Sequence, residues 1–99
     1  MITHIVAWKV NVEDEAGKAA AVAAIAGALE PLVEVIDELL DLKVFANSVD
    51  VDGNSDAVLV SHFKNAADLR TYIDHPAHQA AVVVVRANTA GRAAIDFES

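Results

Sequence analysis

Residues 72–78 read Tyr-Ile-Asp-His-Pro-Ala-His and place a phenol and two imidazoles around a proline that restricts the backbone. A residue before proline is disfavoured in the α region, and proline is well suited to the first position of a helix. The stretch therefore predicts one helix that ends near Tyr72 or Ile73 and another that begins at Pro76. His75 is then the N-cap of the second helix, and His78 lies in its first turn, beside free backbone N–H groups.

The chain that follows this junction is either a helix or a buried strand. Residues 79–88 contain four consecutive valines, and periodicity alone permits a buried strand. Pro76 at a helix start and the polar residues 86–88 favour a helix, which we expect Gly91 to end.

The remaining segments alternate between β-forming and helix-forming composition. Either Asn11 or Glu13 is the expected cap of the first helix, and residues 32–40, whose pattern is ambiguous, are interpreted as a short helical turn that leads into a strand. The predicted elements are strands at 2–10, 42–48, 57–63 and 92–97, an Ala-rich helix at 16–29, and a short helix from Asn65 to Tyr72.

This order predicts an α+β fold of the ferredoxin-like βαββαβ type, in which helices cover one face of an antiparallel four-stranded sheet. Residues 1–99 form a single domain on this interpretation. The first strand is apolar on both faces, and Val58 and Val60 lie on the face opposite Ala57 and Leu59. An exposed apolar sheet face is unusual in a monomer, so we expect a homodimer whose two sheets pack face to face into a barrel.

Composition excludes several classes of function. The formal charge of −8 disfavours nucleic acid, which requires clustered Lys and Arg, and the absence of cysteine excludes disulfides and thiolate metal sites. No run reaches the roughly 20 apolar residues of a membrane span, and the N-terminus does not resemble a signal peptide. The expected localisation is cytoplasmic, without a membrane partner.

No metal or cofactor is predicted. The acidic turn at residues 50–56 resembles a calcium loop, but Ser61 occupies the twelfth loop position, where a carboxylate is needed. His75 and His78 have a spacing seen in metal ligands, but His75 lies outside the helix and no acidic third ligand is evident.

Tyr72 and His78 are the candidate catalytic pair. A neutral imidazole accepts a proton, and a phenol donates a hydrogen bond to a developing oxyanion. In the first turn of a helix the macrodipole disfavours the imidazolium, so His78 is expected to remain a neutral base near pH 7. The structural alternative is that Tyr72 is a core aromatic residue, His75 a cap, and His78 a partner of backbone groups.

Three segments together resemble the stress-responsive dimeric α/β-barrel (Dabb) family: residues 1–6, Met-Ile-Thr-His-Ile-Val; the 72–78 stretch; and residues 95–97, Ile-Asp-Phe. The resemblance implies a ferredoxin-like homodimer with a barrel between protomers and, for most members, no assigned activity. The family includes the cofactor-free olivetolic acid cyclase, which closes a polyketide in a pocket between sheet and helices.

The resemblance to the cyclase branch also implies functional residues. It matches Tyr72 and His78 to the acid/base pair and His4 to a strand-one histidine of the pocket. The ligand-binding wall that it implies consists of Val6, Trp8, Ala57 and Leu59, and Ala57 stands where the cyclase has a further histidine.

Three functions therefore compete. The first is a homodimeric Dabb protein that binds a small apolar or aromatic ligand without turnover. The second is a polyketide cyclase-like enzyme that uses Tyr72 and His78 as acid and base. The third shares the fold: an antibiotic-biosynthesis-type monooxygenase that needs neither metal nor flavin.

Overall fold

The computed structural model describes residues 1–99 and contains four strands, three α-helices and one 3₁₀ helix. The strands β1 and β3 have the predicted bounds, and the valine-rich segment is a helix, as expected from Pro76. The elements in chain order are β1 (Ile2–Val10), α1 (Glu15–Leu29), a 3₁₀ helix (Glu30–Glu34), β2 (Asp41–Ala46), β3 (Ala57–Phe63), α2 (Ala66–Asp74), α3 (Pro76–Asn88) and β4 (Thr89–Glu98).

The four strands form one antiparallel sheet in the order β2-β3-β1-β4. This is the ferredoxin-like βαββαβ arrangement, with its second helical unit divided into α2 and α3. Alternate residues of β1 and β3 are buried on the face that the helices cover, which follows from the two-residue period of a strand. The predicted fold is confirmed.

The cap of α1 differs from the prediction. The Asp14 carboxylate accepts a hydrogen bond from the backbone N–H of Gly17 at 2.8 Å, so the N-cap is Asp14 and neither Asn11 nor Glu13. Any of the three side chains is chemically able to cap a helix, and the choice is made by where the chain leaves β1 and turns into α1.

The helix end near Gly91 was also predicted wrongly. Helix α3 ends at Asn88, and Thr89 is already extended, with φ −123° and ψ 152°. Gly91 lies inside β4 opposite Lys9, next to a register shift between Lys9 and Val10. Pairing with β1 starts at Thr89, a β-branched residue that suits a strand, and this pairing ends the helix before the glycine.

Residues 30–40 lead into β2 by way of a short helical turn, as expected. They form the 3₁₀ helix Glu30–Glu34 and a connecting turn before β2. The helical stretch Glu15–Glu34 is 20 residues long with a mean hydropathy of 1.4, so by length and composition alone it is apolar enough to cross a membrane. Ile25 and Leu29 of this stretch are buried in the protein core.

Strand β4 lies at the edge of the sheet and is exposed along almost its whole length. On the face away from the helices, Ile95 pairs with Ile5, beside Val60 of β3. We call this side of the sheet the open face. Its most exposed large apolar residues are Phe45, Ile95 and Phe97.

Candidate functional site

The junction between α2 and α3 is built as the sequence predicts. His75 has an extended backbone, with φ −66° and ψ 135°, and its Nδ1 accepts a hydrogen bond from the backbone N–H of Ala77 at 3.0 Å. Pro76 occupies the start of α3. His75 is confirmed as the N-cap, and its role in the site is to fix the direction in which α3 leaves the junction.

His78 lies one turn into α3, half-buried, and its ring is oriented by the end of α2. Its Nδ1 is 3.0 Å from the carbonyl oxygen of Ile73. Because a carbonyl oxygen only accepts, Nδ1 carries the proton, and in the neutral ring the lone pair is on Nε2. Nε2 has no protein hydrogen-bond partner and is the atom available to act as a base.

Burial lowers the pKa of His78, and the nearby charges of His4, Arg92 and His75 lower it further, against the opposing effect of the hydrogen bond to Ile73. A lowered pKa favours the neutral ring near pH 7. The largest cause of the lowering is desolvation of the imidazolium, whereas the expectation from the sequence rested on the helix macrodipole.

Tyr72 packs directly against His78, with 4.3 Å between the ring centroids. Its side chain is 1% exposed, yet its hydroxyl forms no hydrogen bond within the protein and is not fully enclosed. Burial raises the pKa of the Tyr72 phenol, so the group is a neutral donor rather than a phenolate. Phe63 packs against Tyr72, with 5.1 Å between the two ring centroids.

His4 completes the cluster from β1. Its ring is buried, 6.4 Å from Tyr72 between centroids, and its Nδ1–H donates to the carboxylate of Asp96 on the neighbouring strand. The backbone beside it is also fixed, because the buried hydroxyl of Ser61 donates to the carbonyl oxygen of His4 at 3.4 Å. We call Tyr72, His78, His4 and Asp96 the polar cluster.

Asp96 and Ser61 were missed as site residues by the sequence reasoning. A signal for Asp96 was present: in an antiparallel pair of β1 and β4, His4, near one end of the chain, lies opposite Asp96, near the other. Ser61 lies opposite His4 on β3 by the same kind of register.

The predicted ligand-binding wall lies on the same face of the sheet, but it extends away from the polar cluster. Val6 and Leu59 are buried in the middle of the sheet, whereas Trp8 and Ala57 pair at the far end of β1 and β3, roughly 13 Å from His4 along the strand. All four belong to the hydrophobic core.

Two surface cavities, of about 490 and 320 Å³, lie near the β2–β3 loop and not at the polar cluster. The larger is lined by charged and amide side chains, including Lys18 and Asp56, which form an ion pair at 3.4 Å. Ala57 lines the smaller cavity. Within the polar cluster, Asp96 is exposed on β4, His78 is half-buried, and Tyr72 and His4 are buried.

Solved structures with the same fold include several proteins described as dimers. A dimeric ferredoxin-like protein of unknown function from Bacteroides fragilis has 26% identity and a TM-score of 0.85, over 99% of this chain and 95% of its own. A dimeric ferredoxin-like protein of unknown function from Thermobifida fusca has 25% identity and a TM-score of 0.74, over 97% of this chain and 88% of its own.

An enzyme is among the structures with this fold. The hydroxynitrile lyase from Passiflora edulis has 14% identity and a TM-score of 0.76, over 97% of this chain and 90% of its own, and this level of identity supports the fold alone. A comparison with curated protein sequences found no match. The family profile described as Stress responsive A/B Barrel Domain (Dabb) matches residues 2–99. The chain therefore belongs to the Dabb family.

Proposed function

We propose that this protein is a homodimer that binds a small apolar or aromatic ligand carrying an oxygen at the polar cluster. One observation carries the proposal: the Tyr72 hydroxyl and His78 Nε2 both lack a protein partner, although their rings are packed against each other. Neither atom is fully enclosed, so a ligand oxygen can take the place of the water that otherwise bonds there. A donor and an acceptor left free side by side match a ligand oxygen that accepts from the phenol and, as a hydroxyl or enol, donates to the imidazole.

The residues around the Tyr72 hydroxyl and His78 Nε2 indicate what kind of body the ligand has beyond its oxygen. Phe63 is fully enclosed and Tyr72 and His4 are buried, so the half-buried ring of His78 is the aromatic surface left for a ligand, which favours an aromatic or otherwise flat apolar body. The carboxylate of Asp96 accepts a hydrogen bond from His4, which fixes its position at the cluster.

The homodimer is supported by the open face of the sheet. Phe45, Ile95 and Phe97 are each at least 40% exposed there, and they lie beside half-buried Val58, Val60 and Ile5. The relatives from Bacteroides fragilis and Thermobifida fusca are both described as dimeric. Burying such a face at about 25 cal/mol per Å² favours association of two copies.

The binding proposal is tested by NMR titration with 2-naphthamide, a neutral aromatic probe that carries a carbonyl oxygen. We expect the ring signals of His78 and His4 to shift on binding. Tyr72→Phe removes only the hydroxyl and should weaken binding by roughly five- to tenfold, the loss of one hydrogen bond. His62→Gln, on the open face, is the matched control and should leave the affinity unchanged. Shifts confined to the open face, or no binding, would refute the proposal.

A second function, cofactor-free acid/base catalysis, is favoured by the state of His78. A neutral imidazole with Nε2 free is a general base at neutral pH, and the adjacent phenol is a donor for a developing oxyanion. Turnover of a panel of poly-β-keto thioesters by wild type, Tyr72→Phe and His78→Ala tests this reading. Loss of at least about 100-fold in both variants supports it, and equal rates in all three exclude it.

A further inference from the structure

Arg92 is an unpaired cation on the strand that borders the polar cluster. It lies on β4 opposite Trp8 and so points to the same side of the sheet as His4 and Asp96. Helices cover this side over β1 and β3, but β4 is exposed, and Arg92 with it. Asp96 of the polar cluster and Arg92 therefore lie on the same side of the exposed edge strand.

The two carboxylates on this side of β4 have partners within the chain. Asp96 accepts a hydrogen bond from His4, and Glu98 forms an ion pair with the N-terminal ammonium at 3.3 Å. The guanidinium of Arg92 has no ion pair and no hydrogen bond, although the chain carries 15 acidic residues against 7 basic ones. In a protein of net charge −8, this is the local exception that an anionic ligand requires.

Arg92 lies on the helix side of β4, and α3, which carries His78, packs against this strand. The charge of Arg92 also lowers the pKa of His78. Along β4, Arg92 and Asp96 are about 13 Å apart, with the small side chain of Ala94 between them. Ala94 leaves room over the strand for the body of a ligand.

From this juxtaposition we infer that Arg92 is a specificity-determining residue that selects carboxylate ligands at the polar cluster. A planar guanidinium matches a carboxylate in a bidentate geometry, whereas it gains little from a neutral amide of the same shape. The ligand class is an apolar or aromatic carboxylic acid, with its charged end on Arg92 and its body against Tyr72 and His78. This inference rests on the proposed binding function.

The test compares 2-naphthoate with 2-naphthamide, which share a body and differ in charge, by NMR titration of the full chain. Wild type is expected to prefer the acid by roughly three- to tenfold, as for one partly exposed ion pair. Arg92→Gln should abolish this preference and leave the affinity for the amide unchanged, and Arg92→Lys should restore part of it. Arg86→Gln, on the last turn of α3, is the matched control and should behave as wild type.

The outcomes separate the two proposals. If both probes bind at His78 but the acid is not preferred, or its preference survives Arg92→Gln, the inference is overturned while the binding function stands. If neither probe shifts the His78 and His4 signals, the binding function fails and the inference fails with it. Loss of the preference only in Arg92→Gln supports both.

The position of Arg92 has a readout that needs no ligand. Removing a nearby positive charge makes the imidazolium less unfavourable, so Arg92→Gln should raise the pKa of His78 in an NMR pH titration. Arg86→Gln should leave it unchanged. An unchanged pKa in Arg92→Gln would overturn the inference, because the guanidinium would then lie too far from the ring to share its ligand.

Discussion

The two nitrogens of the His78 ring have different environments, and this difference gives the residue its chemistry. The carbonyl oxygen of Ile73 accepts a hydrogen bond from Nδ1–H, so Nε2 carries the lone pair that can accept a proton. A neutral His78 was expected from its place in the first turn of a helix, whereas burial, which the sequence does not show, is the largest cause of its lowered pKa. The sequence was also not sufficient to predict the tautomer, which depends on where the last carbonyl groups of α2 point after the turn at His75.

The lowered pKa of His78 makes the stability of the fold depend on pH. Unfolded histidine titrates near about 6.5, and burial brings the folded value below that. As pH falls below the unfolded value, the unfolded chain takes up the proton first, so the free energy of unfolding decreases until pH passes the folded pKa. The contribution is fully present above the unfolded pKa.

His78→Asn keeps a donor toward Ile73 but does not titrate. We expect the difference in unfolding free energy between wild type and His78→Asn, measured by urea denaturation from pH 7.5 to pH 5, to shift in favour of the variant as pH falls. Measuring the difference removes the contributions of the other histidines. A constant difference across this range would contradict the assigned environment of His78.

At the level of elements, local sequence signals correctly predicted the strands and helices that depend on neighbouring residues alone. The alternation in β1 and β3 fixed both strands to the residue, and Pro76 correctly outweighed the four valines of α3. The errors occurred where the start or end of an element depends on contacts with distant segments of the chain. Asp14, rather than Asn11 or Glu13, caps α1 because of the path of the chain out of β1.

The candidate site follows the same division. Tyr72, His75 and His78 are local to one junction, and their arrangement could be predicted from seven residues. Asp96 lies at the other end of the chain from His4, and the two meet only through the β1–β4 register, which no local pattern contains. The early start of β4 at Thr89, before Gly91, is set by the same pairing.

The cap at His75 connects this element to the site, since it fixes α3 and hence His78. His75→Ala removes the acceptor for the Ala77 N–H and should reduce the free energy of unfolding by about 1 kcal/mol. His75→Asp supplies a carboxylate acceptor at the positive end of α3 and should recover most of that loss. Urea denaturation at pH 7.5 measures both. An Asp variant no more stable than the Ala variant would show that capping is not what His75 contributes.

For the whole molecule, the two faces of the sheet differ in what covers them. The helix face carries the core and, at one end, the polar cluster, whereas the open face has apolar residues that nothing in one chain covers. A chain of 99 residues has limited core volume, so shared burial between two copies is an efficient way to gain stability. The polar cluster and Arg92 lie on the face that this association leaves free.

The proposed assembly is tested by placing one charge on each surface. Ile95 is 59% exposed at the middle of the open face, and Val83 is 68% exposed on α3. Wild type should show twice the 10.4 kDa chain mass by light scattering coupled to size exclusion. Ile95→Glu buries an unpaired carboxylate in the interface, which costs about 3 kcal/mol or more, so its dimer dissociation constant should rise at least about 100-fold. Val83→Glu should remain a dimer, because the outer surface of α3 takes no part. A wild-type mass of one chain, or equal dissociation of the two variants, would show that the open face is not the interface.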